Sequence, residues 1–153
     1  MSGVVSDASP LIAFHQIGRL GLFGTIFGTV LIPPAVAREA LSVERPSWIV
    51  ERALTKPLVL AVTRVGLGPG ESEAISLALE LNADRVIIDE LAGRSLAQRL
   101  GLPLIGTLGI LLAAKRRGLI PAIREPVDTL RRTGFRVSND LYEDMLHRAG
   151  ELA

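Results

Sequence analysis

Two short apolar runs, each ending in an aspartate, constrain the folding of this chain more than any other feature. The first, Gly3 to Ser9, reads GVVSDAS, with β-branched Val4 and Val5 ahead of Asp7. The second, Arg85 to Asp89, reads RVIID and repeats the pattern through Val86, Ile87 and Ile88. Continuous apolar runs of this kind suit parallel strands covered on both faces by helices. In such an open sheet, ligands bind beyond the carboxyl ends of the strands, where the strand order reverses. Either aspartate alone could open a turn or cap the next helix. The matched pair turns the reading toward a site.

The intervening sequence supplies the helices. Pro10 starts one that runs to about Arg19, since proline is favoured in a first turn. A short apolar helix over Leu20 to Phe27, a strand at Thr29 to Ile32 and a helix from Pro33-Pro34 through Leu41 follow. Further on we expect a helix over Pro46 to Leu54, a strand over Leu58 to Val65 and a helix from Glu71 to about Leu81. After the strand ending at Asp89 come a helix to Leu100, a short strand at Leu104-Ile105 and a helix from Thr107 to Arg117. A further helix over about Ile123 to Arg132 precedes an extended piece, Phe135 to Val137. Ser138 then caps a final helix, with Leu141 and Leu146 as its docking residues. Strands alternating with helices predict an α/β fold, a three-layer α/β/α sandwich around a parallel sheet. Residues 1–153 read as a single domain, with about 121–153 as a C-terminal helical appendage suited to dimer or partner contacts. A homodimer is expected.

Composition removes several function classes. The chain has 153 residues, enough for one domain with a real core, and is 48% hydrophobic, which excludes a disordered chain. Aromatic residues make up only 4%, too few for a stacking platform for single-stranded bases. The net charge of +1 does not by itself announce nucleic acid. There is no cysteine, and His15 and His147 are isolated, so neither a disulfide framework nor a zinc cluster can form. Leu20 to Ala37 is uncharged over about 18 residues, the lower edge of a membrane span. Its Gly21, Gly24, Gly28, Pro33 and Pro34 fit a helix, a turn and a strand better. No signal peptide opens the chain, and a soluble, cytoplasmic protein is expected.

Helical phase adds two more acids. At about 100° per residue, Glu39 falls inside an apolar arc formed by Ala35, Val36, Ala40 and Val43. It could also sit at the rim of a short helix and reach water. In GESEAISLALEL, Glu71 lies near the centre of a wide apolar arc, whereas Ser72, Glu73, Ser76 and Glu80 lie opposite. Glu71 therefore points inward and Glu73 outward, although a first-turn acid also complements the helix dipole. Asp7, Glu39, Glu71 and Asp89 converging without a cation would repel one another and take up protons. Oxygen-only ligands point to Mg²⁺ or Mn²⁺, and the implied chemistry is metal-assisted attack of water on a phosphodiester.

With these residues placed, the chain resembles the PIN-domain ribonucleases, especially the toxin half of VapBC-type toxin–antitoxin pairs. The resemblance runs roughly from Val4 to Gly118. It rests on Asp7-x-Ser9, the Pro-Pro-x-Val-x-x-Glu helix ending at Glu39, GPGESEAISLALEL, and IIDE followed by GRSLAQRLGLPLIGTLGILLAAK. It implies a parallel α/β/α sandwich with an acidic metal site that cleaves single-stranded RNA, and a small antitoxin as partner. The family's first acid falls on Asp7, its second on Glu39, its third on Glu71 or Glu73 and its fourth on Asp89. Many PIN nucleases carry Asp at the third place, where this chain has the longer Glu. Ser9 would position the first acid or a water, Arg94 would contact phosphates, and Thr107 would bond a site carboxylate or cap its helix. Two other classes compete. One is a non-catalytic PIN-like module that binds RNA or protein. The other is a phosphatase or nucleotide hydrolase, weakened because GLGPGES has no lysine to cradle phosphate.

Overall fold

The computed structural model describes residues 3–40 and 43–152. β1 (Val4–Ser6) and β4 (Arg85–Ile87) form where the two apolar runs predict them. They pair with each other in parallel, Val5 opposite Val86 and Ser6 opposite Ile87. Val5, Val86, Ile87 and Ile88 are completely buried, as expected of strands with helices on both faces. β2 (Val30–Ile32) lies on the other edge of β1, β3 (Ile49–Glu51) lies outside β2, and β5 (Leu104–Ile105) lies outside β4. The all-parallel sheet has the order β3-β2-β1-β4-β5. The chain builds outward from β1 to β3 and then from β4 to β5, so the order reverses between β1 and β4. That is where an open α/β sheet forms its ligand crevice.

The helices close both faces. α1 (Ala8–Gln16) starts directly after Asp7 with Pro10 in its first turn, and α2 (Gly21–Phe27) leads into β2. Phe14 of α1 and Phe23 of α2 meet edge to face at 4.8 Å in the core. α3 (Pro34–Glu39) packs on α5 (Pro69–Leu81), which lies across β1 and β4 beside α4 (Leu60–Val65) and α6 (Leu91–Arg99). α7 (Thr107–Arg116) packs against α1 and against α9 (Asn139–Arg148). The outcome is the expected helix–sheet–helix sandwich. Val127 and Leu130 of α8 (Arg124–Arg132), and Met145 and Leu146 of α9, join the same buried cluster as the sheet. Among the described residues no helix is long and apolar enough to cross a membrane.

Three local expectations change. The segment expected as a helix over Pro46 to Leu54 contains β3 instead, with Ile49 registered opposite Val30. The segment expected as a strand over Leu58 to Val65 folds into α4, ended by Gly66 in the left-handed region at φ 76°. Both stretches are short and rich in β-branched residues, and context decided between them. β3 fills the free edge of β2, and Val62 buries against the protein from a helix instead. Ser138 caps α9 as expected, its Oγ accepting the Leu141 N–H at 3.1 Å, and Leu146 is buried. Leu141, however, is 40% exposed and does not dock. The end of the helix expected to reach Leu41 lies outside the described residues.

Candidate active site

Asp7 leaves β1 at the switch point, and its N–H donates to Ile87 O at 2.9 Å, which ties it to β4. It occupies the N-cap position of α1, yet its side chain makes no capping bond. Asp7 is 3% exposed, and its Oδ1 has no hydrogen-bond partner among the described residues. Burial pushes its pKa up to about 7 despite the adjacent Ala8 N–H, and the charges of Glu71, Glu39 and Glu90 add to the rise. A capping aspartate would be stabilised as an anion. This one is held in a place that disfavours the anion.

Glu71, in the first turn of α5, is half-buried, and its Oε2 is likewise buried without a partner among the described residues. Burial raises its pKa, helped by Glu90 and Glu39. Space for this carboxylate comes from Gly93 in α6, where a Cβ would lie 2.5 Å from Oε2. Glu73 is also half-buried, which departs from its expected outward face. Its Oε1 accepts the Ala35 N–H at 2.9 Å, one of the free donors at the start of α3. Ser72 and Ser76, expected on the outer side with it, are buried because the 55–67 segment covers that flank. Ser72 Oγ donates to Leu67 O, and Ser76 Oγ accepts the Val59 N–H.

Glu39 closes α3 and is exposed rather than inward-facing, but its Oε1 accepts the Gly70 N–H at 2.9 Å. Glu39 and Glu73 thus exchange roles: each satisfies an N-terminal donor of the other's helix. Asp89 follows β4 and accepts two bonds from Thr107, N–H to Oδ1 at 2.7 Å and Oγ1 to Oδ2 at 2.6 Å. Burial raises the Asp89 pKa, while both Thr107 bonds and the Arg94 charge oppose the rise. Arg94 is half-buried beside Asp89, its Nη1 donating to Ile88 O at 2.9 Å. Gly106 makes room for both, since a Cβ there would meet Arg94 Nη1 at 2.7 Å and Asp89 Oδ1 at 2.8 Å. Ser9 is half-buried at the start of α1. Sequence reasoning missed Glu90, an exposed acid at the N-cap of α6 whose charge raises Asp7, Glu71 and Asp89 alike. Its only signal was the adjacent pair Asp89-Glu90.

The structure therefore brings the acids into one electrostatic neighbourhood, though not into one tight ligand set. Among the described residues no three acids stand close enough together to hold one ion between them. Two buried, unpartnered carboxylate oxygens still fit a hard cation. Mg²⁺ commonly binds through one or two carboxylates and keeps several waters, a requirement that Asp7 and Glu71 would meet.

Comparison with known proteins places the chain in a family. The family model described as a PIN domain, DUF3368, matches residues 3–151, including α8 and α9. A PilT N-terminus domain protein from the hyperthermophilic archaeon Sulfolobus solfataricus P2 is similar in structure, at 22% identity and TM-score 0.49 over 74% of this chain and 93% of that one. No curated protein matches the sequence. With a family model spanning nearly its whole length, this chain belongs to the PIN-domain family.

Proposed function

We propose that this protein is a metal-dependent endoribonuclease that hydrolyses phosphodiester bonds in single-stranded RNA, with Mg²⁺ or Mn²⁺ as cofactor. The carrying observation is the pair of buried carboxylate oxygens without partners, Asp7 Oδ1 and Glu71 Oε2, beside the β1–β4 switch point. Membership of the PIN-domain family supports a nuclease reading. Asp7 and Glu71 would hold the ion through their unpartnered oxygens. Asp89 and Glu39 each accept chain donors but retain lone pairs, and a carboxylate has about four acceptor sites, so both can orient water. When bound, the ion polarises the phosphodiester and lowers the pKa of the attacking water. Ser9 steadies Asp7 or a water, Thr107 fixes Asp89, and Arg94 offsets negative charge on the phosphate.

The same reading takes residues 1–153 as one unit with a C-terminal appendage from about 121, and the protein as a cytoplasmic homodimer. It is the toxin of a toxin–antitoxin pair, neutralised by a small protein partner. The test is a gel assay on mixed single-stranded RNA with protein freed of any partner. Cleavage with Mg²⁺ or Mn²⁺ that EDTA abolishes supports the proposal. Absence of cleavage under all metal conditions, or cleavage indifferent to EDTA, overturns it.

A further inference from the structure

A groove of about 460 Å³ opens from the Asp89–Arg94 corner of the candidate site and runs between β5, α7 and α9. Its walls mix charged side chains with apolar ones, Leu104, Leu108 and Leu141 among them, and Phe135 is the one aromatic residue of the described lining. Arg136 and Arg148 line it as well, both exposed. Arg136 makes no hydrogen bond or ion pair with another described residue. Arg148 is engaged through Nε by Asp144 at 3.0 Å, which leaves its terminal nitrogens for another acceptor. Cations at the rim and an apolar floor match a nucleotide, whose phosphate is charged and whose base has an apolar face. The volume lies within the range of about 300–1,000 Å³ usual for ligand sites. Leu141 remains exposed where a docking role was expected because its side chain borders this open groove.

We infer that this groove is the subsite for a nucleotide flanking the scissile bond of a single-stranded RNA, with Arg136 and Arg148 on its phosphate and Phe135 against its base. The inference rests on the ribonuclease reading and gives the C-terminal helices a role in it. α9 and the 135–136 segment supply one wall, while the acids at the switch point do the chemistry.

Binding of a fluorescent single-stranded 12-mer RNA to Asp7→Asn protein, followed by polarisation in Mg²⁺ across a salt series, separates the two. Arg136→Glu with Arg148→Glu should weaken binding at least tenfold and lower the salt slope by about 0.7, the value for one phosphate of a single strand. Phe135→Leu should weaken it about fivefold with the slope unchanged. Arg99→Glu with Arg116→Glu is the control, because α6 and α7 start at the site and these exposed residues end them, outside the groove lining. Circular dichroism confirms folding. A double reversal that matches the control overturns the groove while leaving the ribonuclease reading standing. Failure of the Asp7→Asn protein to bind the RNA, together with failure of the native protein to bind or cleave it, overturns both.

Discussion

The Thr107 hydroxyl donates to Asp89 Oδ2 at 2.6 Å while the Thr107 N–H donates to Oδ1 at 2.7 Å, so one residue occupies both oxygens of a switch-point acid. These two bonds hold down a pKa that burial otherwise raises. Thr107→Val removes the hydroxyl donor alone. The pH at which cleavage rises should then move upward, because Asp89 loses a partner for its ionised form. Stability should fall by about 1 kcal/mol. Thr107→Ser should restore the native pH profile; a rate–pH curve measured for both variants checks this.

Glu71 and Glu73 are separated by what their oxygens meet. Glu71→Gln removes charge at an unpartnered buried oxygen, so metal-dependent cleavage should fall by about 10²–10³. Without metal the protein should melt higher. Glu73→Gln keeps an oxygen for the Ala35 N–H and should leave cleavage nearly unchanged. Parallel cleavage assays and melts of the two variants decide the assignment.

Gly93→Ala tests the space around Glu71. Alanine favours a helix by up to about 1 kcal/mol over glycine, but here its Cβ would lie 2.5 Å from Glu71 Oε2. The carboxylate must move. The variant should fold, yet lose most of the rise in melting temperature that Mn²⁺ gives the native protein, as measured by thermal denaturation.

Asp7 should make the metal-free protein less stable as pH rises. Its pKa is 3.8 as an unperturbed group and about 7 in the fold. Between these values the folded state binds more protons than the unfolded state, so stability falls with pH and levels off above about 7. At about 1.4 kcal/mol per pKa unit, the loss is roughly 4 kcal/mol. Asp7→Asn should flatten this slope and exceed the native protein in stability at pH 8. Mn²⁺ should stabilise the native protein more at pH 8 than at pH 5. Urea denaturation across that range measures all three.

β1 and β4 were legible because a parallel strand covered on both faces leaves a run without polar alternation, and Asp7 and Asp89 mark where each run stops. β3 and α4 were interchanged because Trp48-Ile49-Val50 and Leu58 to Val65 look alike locally. Only the vacant edge of β2 distinguishes them. Helical phase turned Glu71 inward, in keeping with its buried Oε2, but set Glu73 on the outer side, and of its two readings of Glu39 the rim of a short helix is the one observed. Phase assigns a face of one helix, and these two carboxylates are placed by N–H groups at the start of another, Gly70 and Ala35. Glu90 escaped notice because its effect is a field on Asp7, Glu71 and Asp89 rather than a pattern in sequence. The glycines at 93 and 106 carry site information that no periodicity shows, since their value is the absence of a Cβ next to a carboxylate.

The central claim is that Asp7 and Glu71 share one divalent cation. Calorimetric titration of Mn²⁺ into the metal-free protein at pH 8 tests it most directly. Saturable binding near one ion per chain is expected, lost in Asp7→Asn and in Glu71→Gln and retained in Glu73→Gln. Equal binding by the native protein and by folded Asp7→Asn and Glu71→Gln, or no binding by the native protein, would contradict it.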